Sequence, residues 1–311
     1  MKKTSIIMLT YNRQGYVGRA IESVLCQTCT DFEFIIVDNG STDNSGKICD
    51  EYEKQDARIK VLHIEKSSIG AGRNAGLDAA MGDYVTFIDD DDVCGPDLLE
   101  YLSELLDICN ADIAICGSWI EIDGKREPKY VFDGTYNYDG CTAVKEMLKR
   151  EKFNSANPTK LFSRSLFDSM RYHTAGKYDD AAFMYRIISE AKKVTVSGEP
   201  HYTFVRHGGN NSFGTNWRKS VNDDQIRAYI PLVRERTLWL SERFPDNEAF
   251  WHYAELSYLL SMYDRTGDAF LKEQLLIGFK PYYEEFLASE EFHTDRDREL
   301  VGVYRNIIEG I

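Results

Sequence analysis

The chain has 311 residues, of which 43% are hydrophobic and 13% aromatic, so it can bury the core of one large domain or of a domain with an appendage. Charged residues make up 28%, an ordinary share for a folded protein, which excludes a disordered chain. A formal net charge of -14 with no lysine-arginine block excludes nucleic acid as a partner and argues against a strong electrostatic membrane anchor.

Ser5 to Leu9 is a continuous apolar run, the pattern of a parallel strand buried on both faces. Val17, Ala20, Ile21, Val24 and Leu25 follow with the spacing of an amphipathic helix. Phe34 to Val37 is a second buried strand, closing in the polar cluster Asp38 to Asp43, which supplies a turn and a helix cap. Ile59 to Ile64 predicts a third strand and Gly70 to Ala80 a helix. Tyr84 to Ile88 predicts a fourth strand that runs into Asp89, Asp90, Asp91 and Asp92. Pro96 is placed to open the next helix, buried through Leu98, Leu102, Leu105, Leu106 and Cys109. Ala111 to Ile122 reads as another strand. From Asp123 to about Phe213 the pattern is irregular, with short strands, loops and a helix near Ala181 to Ala191.

This strand-helix alternation predicts an α/β fold with a mostly parallel sheet covered on both faces. From about Asn216 the chain turns helical. Ile226, Tyr229, Ile230, Val233, Thr237 and Leu240 form one apolar stripe, and Tyr253, Leu256, Leu260 and Tyr263 another. The expected organisation is a catalytic domain over 1–215, with halves 1–110 and 111–215, and a helical region over 216–311. That tail is expected to pack on the core or form a homodimer contact, and peripheral membrane contact stays open.

Ligands of open α/β sheets bind beyond the carboxyl ends of the strands. Those ends carry Thr10, Tyr11, Asn12 and Arg13, then Asp38, then the four aspartates. Adjacent carboxylates repel unless a cation or solvent screens them. Hard oxygen donors suit Mg2+ or Mn2+, which take one or two carboxylates plus substrate phosphates. A water-exposed acidic turn is the plain alternative.

Taken in order, Thr10-Tyr11-Asn12-Arg13, Val37 to Asp43, Gly70-Ala71-Gly72-Arg73-Asn74-Ala75-Gly76 and Phe87 to Asp92 resemble the motifs of the family 2 glycosyltransferases. The resemblance covers roughly residues 4–210. It implies the GT-A fold and inverting transfer of one sugar from a UDP-sugar to an acceptor hydroxyl, on a polysaccharide, lipid-linked oligosaccharide or glycoprotein glycan. It further implies that Thr10 to Arg13 line the nucleotide pocket and Asp38 receives the uracil N–H. Gly70, Arg73 and Asn74 would stand at the nucleotide or its diphosphate. Asp89-x-Asp91 matches the family's D-x-D motif, with Asp91 on Mn2+ or Mg2+ and Asp89 and Asp90 at the ribose and the metal's waters.

Gly176 to Asp180 stands where the family has a Glu-Asp pair, so the resemblance makes Asp180 the catalytic base and puts Asp179 on the acceptor side. Capping of the following helix is the plain alternative for both. Asn157 to Phe162 resembles a family strand with Lys160 near the acceptor. Tyr202, Arg206 and His207, followed by Ser212, resemble the loop that closes over the diphosphate, with His207 a metal or phosphate contact. A silent nucleotide- or sugar-binding protein and a sugar nucleotidyltransferase are the rival readings, the latter lacking its basic Gly-rich loop after the first strand.

No stretch approaches the ~20 apolar residues that span a bilayer, and no cleavage site follows the first apolar run. Seven cysteines, an odd count, fit reduced thiols and a cytoplasmic place of work. Cys26-x-x-Cys29 lacks the second pair of a zinc site.

Overall fold

The computed structural model describes residues 3–174, 178–208 and 223–293, with 297–298 and 305. The chain divides into two units, one ending at His207 and one beginning at Gly208. Gly176, Lys177 and Ser212 lie outside the described residues.

The first unit is built on a sheet whose expected strands are β1 (Thr4–Thr10), β2 (Phe32–Asp38), β3 (Ile59–His63) and β4 (Tyr84–Asp89). They run parallel in the order β3-β2-β1-β4. Their unbroken apolar runs reflect cover on both faces: Ile6, Ile7, Met8, Phe34, Ile35, Ile36 and Val37 are all buried. Between them run α1 (Val17–Leu25), α2 (Ser45–Gln55) and α3 (Ile69–Ala79). Helix α1 buries Val17, Ala20, Ile21 and Val24, the face its periodicity predicts. Helix α3 is capped by Ser68, whose hydroxyl accepts from Ala71 N at 3.1 Å.

After β4 come a short β5 (Val93–Cys94) and α4 (Leu98–Cys109). Pro96 stands one residue before the Asp97 cap rather than at the first helical position. Strands β6 (Ile113–Ile122), β7 (Lys125–Tyr130), β8 (Thr135–Tyr138) and β9 (Lys160–Ser163) follow, with α5 (Gly140–Lys149) before β9. Helix α6 (Asp179–Glu190) leads into β10 (Val194–Arg206). The sheet continues β4-β9-β6-β10, with β9 antiparallel to both neighbours and β10 parallel to β6.

Helix α5 and the length of β10 depart from the irregular middle that the sequence predicts. The stretch Ser197 to Pro200 carries the turn chemistry of Ser, Gly and Pro, yet here it is an irregularity inside β10 where the register with β6 shifts. Tyr202 to Arg206 are accordingly strand, not loop, because pairing to β6 satisfies their backbone.

The second unit contains α7 (Asp223–Arg243), α8 (Glu248–Arg265), α9 (Ala269–Phe279) and α10 (Tyr283–Ala288). Ile226, Val233, Thr237 and Leu240 of one predicted stripe are buried, as are Tyr253, Leu256 and Leu260 of the other. Among the described residues no helix is long and apolar enough to cross a membrane.

Candidate active site

At the carboxyl edge of β1 and β2, side chains stitch two loops together. Asn12 takes a left-handed φ of 53°, a conformation Asn tolerates. Its Oδ1 accepts from Thr42 N at 2.8 Å, and its own N–H donates to Ser41 Oγ at 3.0 Å. Arg13 N donates to Ser45 Oγ at 2.7 Å. Tyr11 stays exposed, with the Lys66 ammonium 3.1 Å from its ring centroid. Thr10 is buried, and its carbonyl accepts from Asn39 N at 2.9 Å.

Asp38 is buried at the end of β2 and held from two sides. Ser41 N donates to its Oδ1 at 3.0 Å, and its Oδ2 lies 2.9 Å from His63 Nδ1. His63 in turn places Nε2 2.8 Å from Asp50 Oδ1. Its hydrogen bond to Asp38, then that to Asp50, raises the imidazole above its ordinary range. Gly46 is required here, since a Cβ would fall 2.6 Å from Asp38 Oδ2.

The four aspartates do not act alike. Asp92 turns into the sheet: Tyr202 Oη donates to its Oδ2 at 2.9 Å and Val205 N to its Oδ1 at 2.7 Å. It therefore anchors β10 to the turn after β4. Asp90 is buried beside Arg13, whose Nε is 3.6 Å away, and burial followed by Asp91 pushes it up to about 7. Asp91 Oδ2 lies 3.8 Å from the same Nε and 3.1 Å from His207 Nε2. The His207 ring stacks on Tyr16 with centroids 4.0 Å apart, which fixes its plane. Asp89 is the most open of the set, 3.6 Å from Arg73 Nη2.

Arg73 also reaches α6, where its Nη1 is 3.3 Å from Asp179 Oδ2. It thus ties the end of β4 to the acidic first turn of α6. Asp179 is buried, whereas Asp180 is partly exposed and accepts from Ala181 N at 2.8 Å. Burial and then Asp179 push Asp180 up to about 6, with Arg73 opposing.

Three of the predicted residues have their partners within the fold. Asn74 donates to Tyr172 O and accepts from Tyr172 N, both at 2.9 Å, so its amide clamps the backbone near 172. Gly70 packs under His173, whose carbonyl oxygen would lie 2.1 Å from a Cβ. Lys160 is fully buried and donates to Ala156 O, so its ammonium is turned into the protein and not onto its surface. Desolvation pulls its ammonium down to about 7.

Sequence reasoning missed His63 and Tyr16. His63 could have been found as the last residue of a strand that ends on the ligand edge. Tyr16 carries no local signal.

Among the described residues no three His, Cys, Asp or Glu side chains converge into a cage for an ion. Asp91 and His207 nevertheless present a carboxylate oxygen and an imidazole nitrogen to one another. That donor pair fits a divalent ion completed by diphosphate oxygens, the usual mode for Mg2+ and Mn2+ at phosphates.

A model of Glycosyl transferase family 2 matches residues 5–171. The chain is 32% identical to glycosyltransferase GlyG of Streptococcus pneumoniae over 232 residues, 70% of this chain and 76% of that protein. It is 29% identical to poly(ribitol-phosphate) beta-N-acetylglucosaminyltransferase TarP of Staphylococcus aureus over 242 residues, 76% of this chain and 71% of that one. In fold it is similar to S. aureus TarS 1-349 in complex with UDP-GlcNAc, with a TM-score of 0.68 at 18% identity, over 91% of this chain and 81% of that one. It is also similar to the mannosyltransferase PcManGT of Pyrobaculum calidifontis in complex with GDP-Man and Mn2+, with a TM-score of 0.55 at 14% identity, over 98% and 79% of the two chains.

Proposed function

The chain belongs to glycosyl transferase family 2, and from that premise we propose that it moves one sugar from a UDP-sugar to an acceptor hydroxyl with inversion at the anomeric carbon. The observation that carries this reading is the bridge from Asp89 through Arg73 to Asp179, which brings the donor-side strand end and the Asp179-Asp180 pair to one edge. In this reading Asp38 accepts from the uracil N–H. Arg13 and the Asp89 to Asp91 turn face the ribose and diphosphate.

Asp180 is the general base. An inverting displacement needs a carboxylate that takes the acceptor's proton on the face opposite the leaving group. A value near 6 leaves Asp180 ionised at neutral pH while making it a better proton acceptor than an exposed aspartate. Arg73 orients Asp179 and keeps the positive charge that holds these carboxylates together. Asp91 and His207 would hold Mn2+ or Mg2+, which neutralises charge on the departing diphosphate.

A UDP-sugar is favoured over other donors because TarS is described with UDP-GlcNAc and TarP is named for transfer of N-acetylglucosamine. The acceptor is a glycan or glycan-bearing polymer, and the work is done in the cytoplasm. A thermal-shift panel of UDP-GlcNAc, UDP-glucose, UDP-galactose, GDP-mannose and dTDP-glucose with Mn2+ tests the donor, since stabilisation grows with RT ln(1 + [L]/Kd). Stabilisation by GDP-mannose alone, or by none of the five, sinks the UDP-sugar reading.

A further inference from the structure

The connection from β7 to β8 folds back on β10 and leaves a cleft of about 420 Å³. Its wall includes Tyr101 of α4, Phe132 and Asp133 of the connection, Thr135 of β8, and Ser197 and Glu199 of β10. That volume lies in the range of small-ligand sites. Among the described residues the wall takes nothing from the Asp89 to Asp92 turn, α3 or α6. Backbone contact shapes the cleft in advance: Gly198 lets the connection pass, since a Cβ there would overlap Phe132 O and N. The Tyr101 hydroxyl and Ser197 Oγ, 2.6 Å apart, tie α4 to the same stretch of β10.

Behind this wall His201 is 7% exposed, with its ring stacked on Tyr101 at 4.0 Å between centroids. Its Nδ1 lies 2.8 Å from Asp97 Oδ1. Its Nε2 is buried and has no hydrogen-bond partner among the described residues. Glu199 Oε1 stands 3.6 Å from that nitrogen, beyond hydrogen-bond reach. A buried nitrogen left in this way calls for a partner. The Glu199 side chain is 62% exposed, so ligands can reach it. A ligand hydroxyl placed between the two would pair with the imidazole and donate to the carboxylate.

The chemistry of the wall excludes anions. It carries Asp133 and Glu199 but, among the described residues, no lysine or arginine. Lys152, over the Tyr136 ring, is already held by Glu146 at 2.8 Å. Carboxylates accept from hydroxyls, and aromatic rings offer flat apolar cover. Phe132 meets Tyr136 at 5.9 Å, and Tyr138 stacks on Tyr136 at 6.3 Å with planes 3° apart. Tyr136 is 41% exposed. A pyranose ring, with apolar C–H faces and a rim of hydroxyls, matches both features. We propose that this cleft and the tyrosines beside it bind a neutral oligosaccharide, at a site separate from the one where the sugar is transferred. Its use in transfer rests on the reading of the acceptor as a glycan, since a second hold on a chain keeps its end at high effective concentration.

Calorimetry on the full chain tests this with maltotetraose, cellotetraose and tetra-N-acetylchitotetraose, each alone and with saturating UDP and Mg2+. At least one is expected to bind in both conditions. It is expected to bind roughly tenfold more weakly or worse in Glu199→Ala and in Tyr136→Ala, which remove a hydroxyl acceptor and a stacking ring. Tyr136→Phe, which keeps the ring, is expected to retain binding, and a thermal midpoint equal to the parent's in Glu199→Ala separates loss of the site from loss of the fold. Competition between UDP and the oligosaccharide would put the chain in the transfer site and overturn the proposal. Binding that ignores both alanine substitutions, or no binding of any of the three, overturns it too. So does binding of tetramethylammonium in place of the sugars, which would make the rings and carboxylates a cation site. Glu199-dependent sugar binding by a protein that does not bind UDP would leave this site standing and remove the donor reading instead.

Discussion

Arg73 Nη1 sits 3.3 Å from Asp179 Oδ2, and both side chains are largely hidden from water. The pair joins α3 to α6, elements far apart in the chain, and Asp89 approaches the same guanidinium. Removing one partner of such a pair strands the other charge in a dry place. Arg73→Met is therefore expected to destabilise the protein by about 3–5 kcal/mol in urea unfolding. Because Arg73 also holds Asp180 down, the same variant should move the acidic limb of the rate profile to higher pH. An unfolding midpoint equal to the parent's would show that the contact carries no stability.

Asp180 is pushed up to about 6 chiefly by burial, with Asp179 adding to it. As a base it must be ionised, so kcat/KM is expected to fall as pH drops through about 6 and to be flat above. Asp180→Asn should lower kcat by about 10²–10⁴-fold while UDP still binds. The stability effect has the opposite sign. A carboxyl whose folded value is raised contributes stability below its unfolded value and loses it as pH rises through the folded one. Asp180→Asn should therefore raise the thermal midpoint at pH above 7, and a fall there would contradict the burial of this charge.

His63 gives the same sign for an imidazole, held up not by burial but first by Asp38 and then by Asp50. Its folded form keeps the proton more tightly, so its contribution is complete below the ordinary imidazole range and is lost as pH rises through the folded value. The ring is 51% exposed, and solvent screening keeps the effect below about 1 kcal/mol. Histidine ring NMR should show a midpoint above 6.5 that returns toward 6.5 in Asp50→Asn. No movement in that variant would break the proposed chain from Asp50 to the Asp38 carboxylate.

Metal removal gives a separate test of Asp91 and His207. UDP titrated into the parent protein is expected to bind at least about tenfold more weakly in EDTA than with Mn2+, since the ion would supply positive charge to the diphosphate. In Asp91→Asn the two conditions should give the same affinity. Equal affinities in the parent protein would remove the ion from Asp91.

The parallel strands β1 to β4 and the helices between them were legible because local pattern and tertiary role coincide there. An apolar run such as Ile6 to Met8 can be buried on both faces only inside a covered sheet, and the first polar residues after each run fall on its ligand edge. Thr10 to Arg13, Asp38 and the aspartate turn could be placed on that edge from the sequence for this reason, with only their partners left open. What each of those side chains does was decided by contacts across the chain. Asp92 differs from Asp89 because Tyr202 and Val205, brought in by β10, take both its oxygens. Asn74 is a clamp because Tyr172 meets it, and Lys160 is buried because β9 inserts antiparallel between β4 and β6. The sequence by itself determined which chemistry reaches the edge of the sheet, since hydrophobic burial is a property of neighbouring residues along one strand. Only the tertiary structure decided which of those groups remain open to a ligand, since a hydrogen bond to a residue a hundred positions away leaves no periodicity to read.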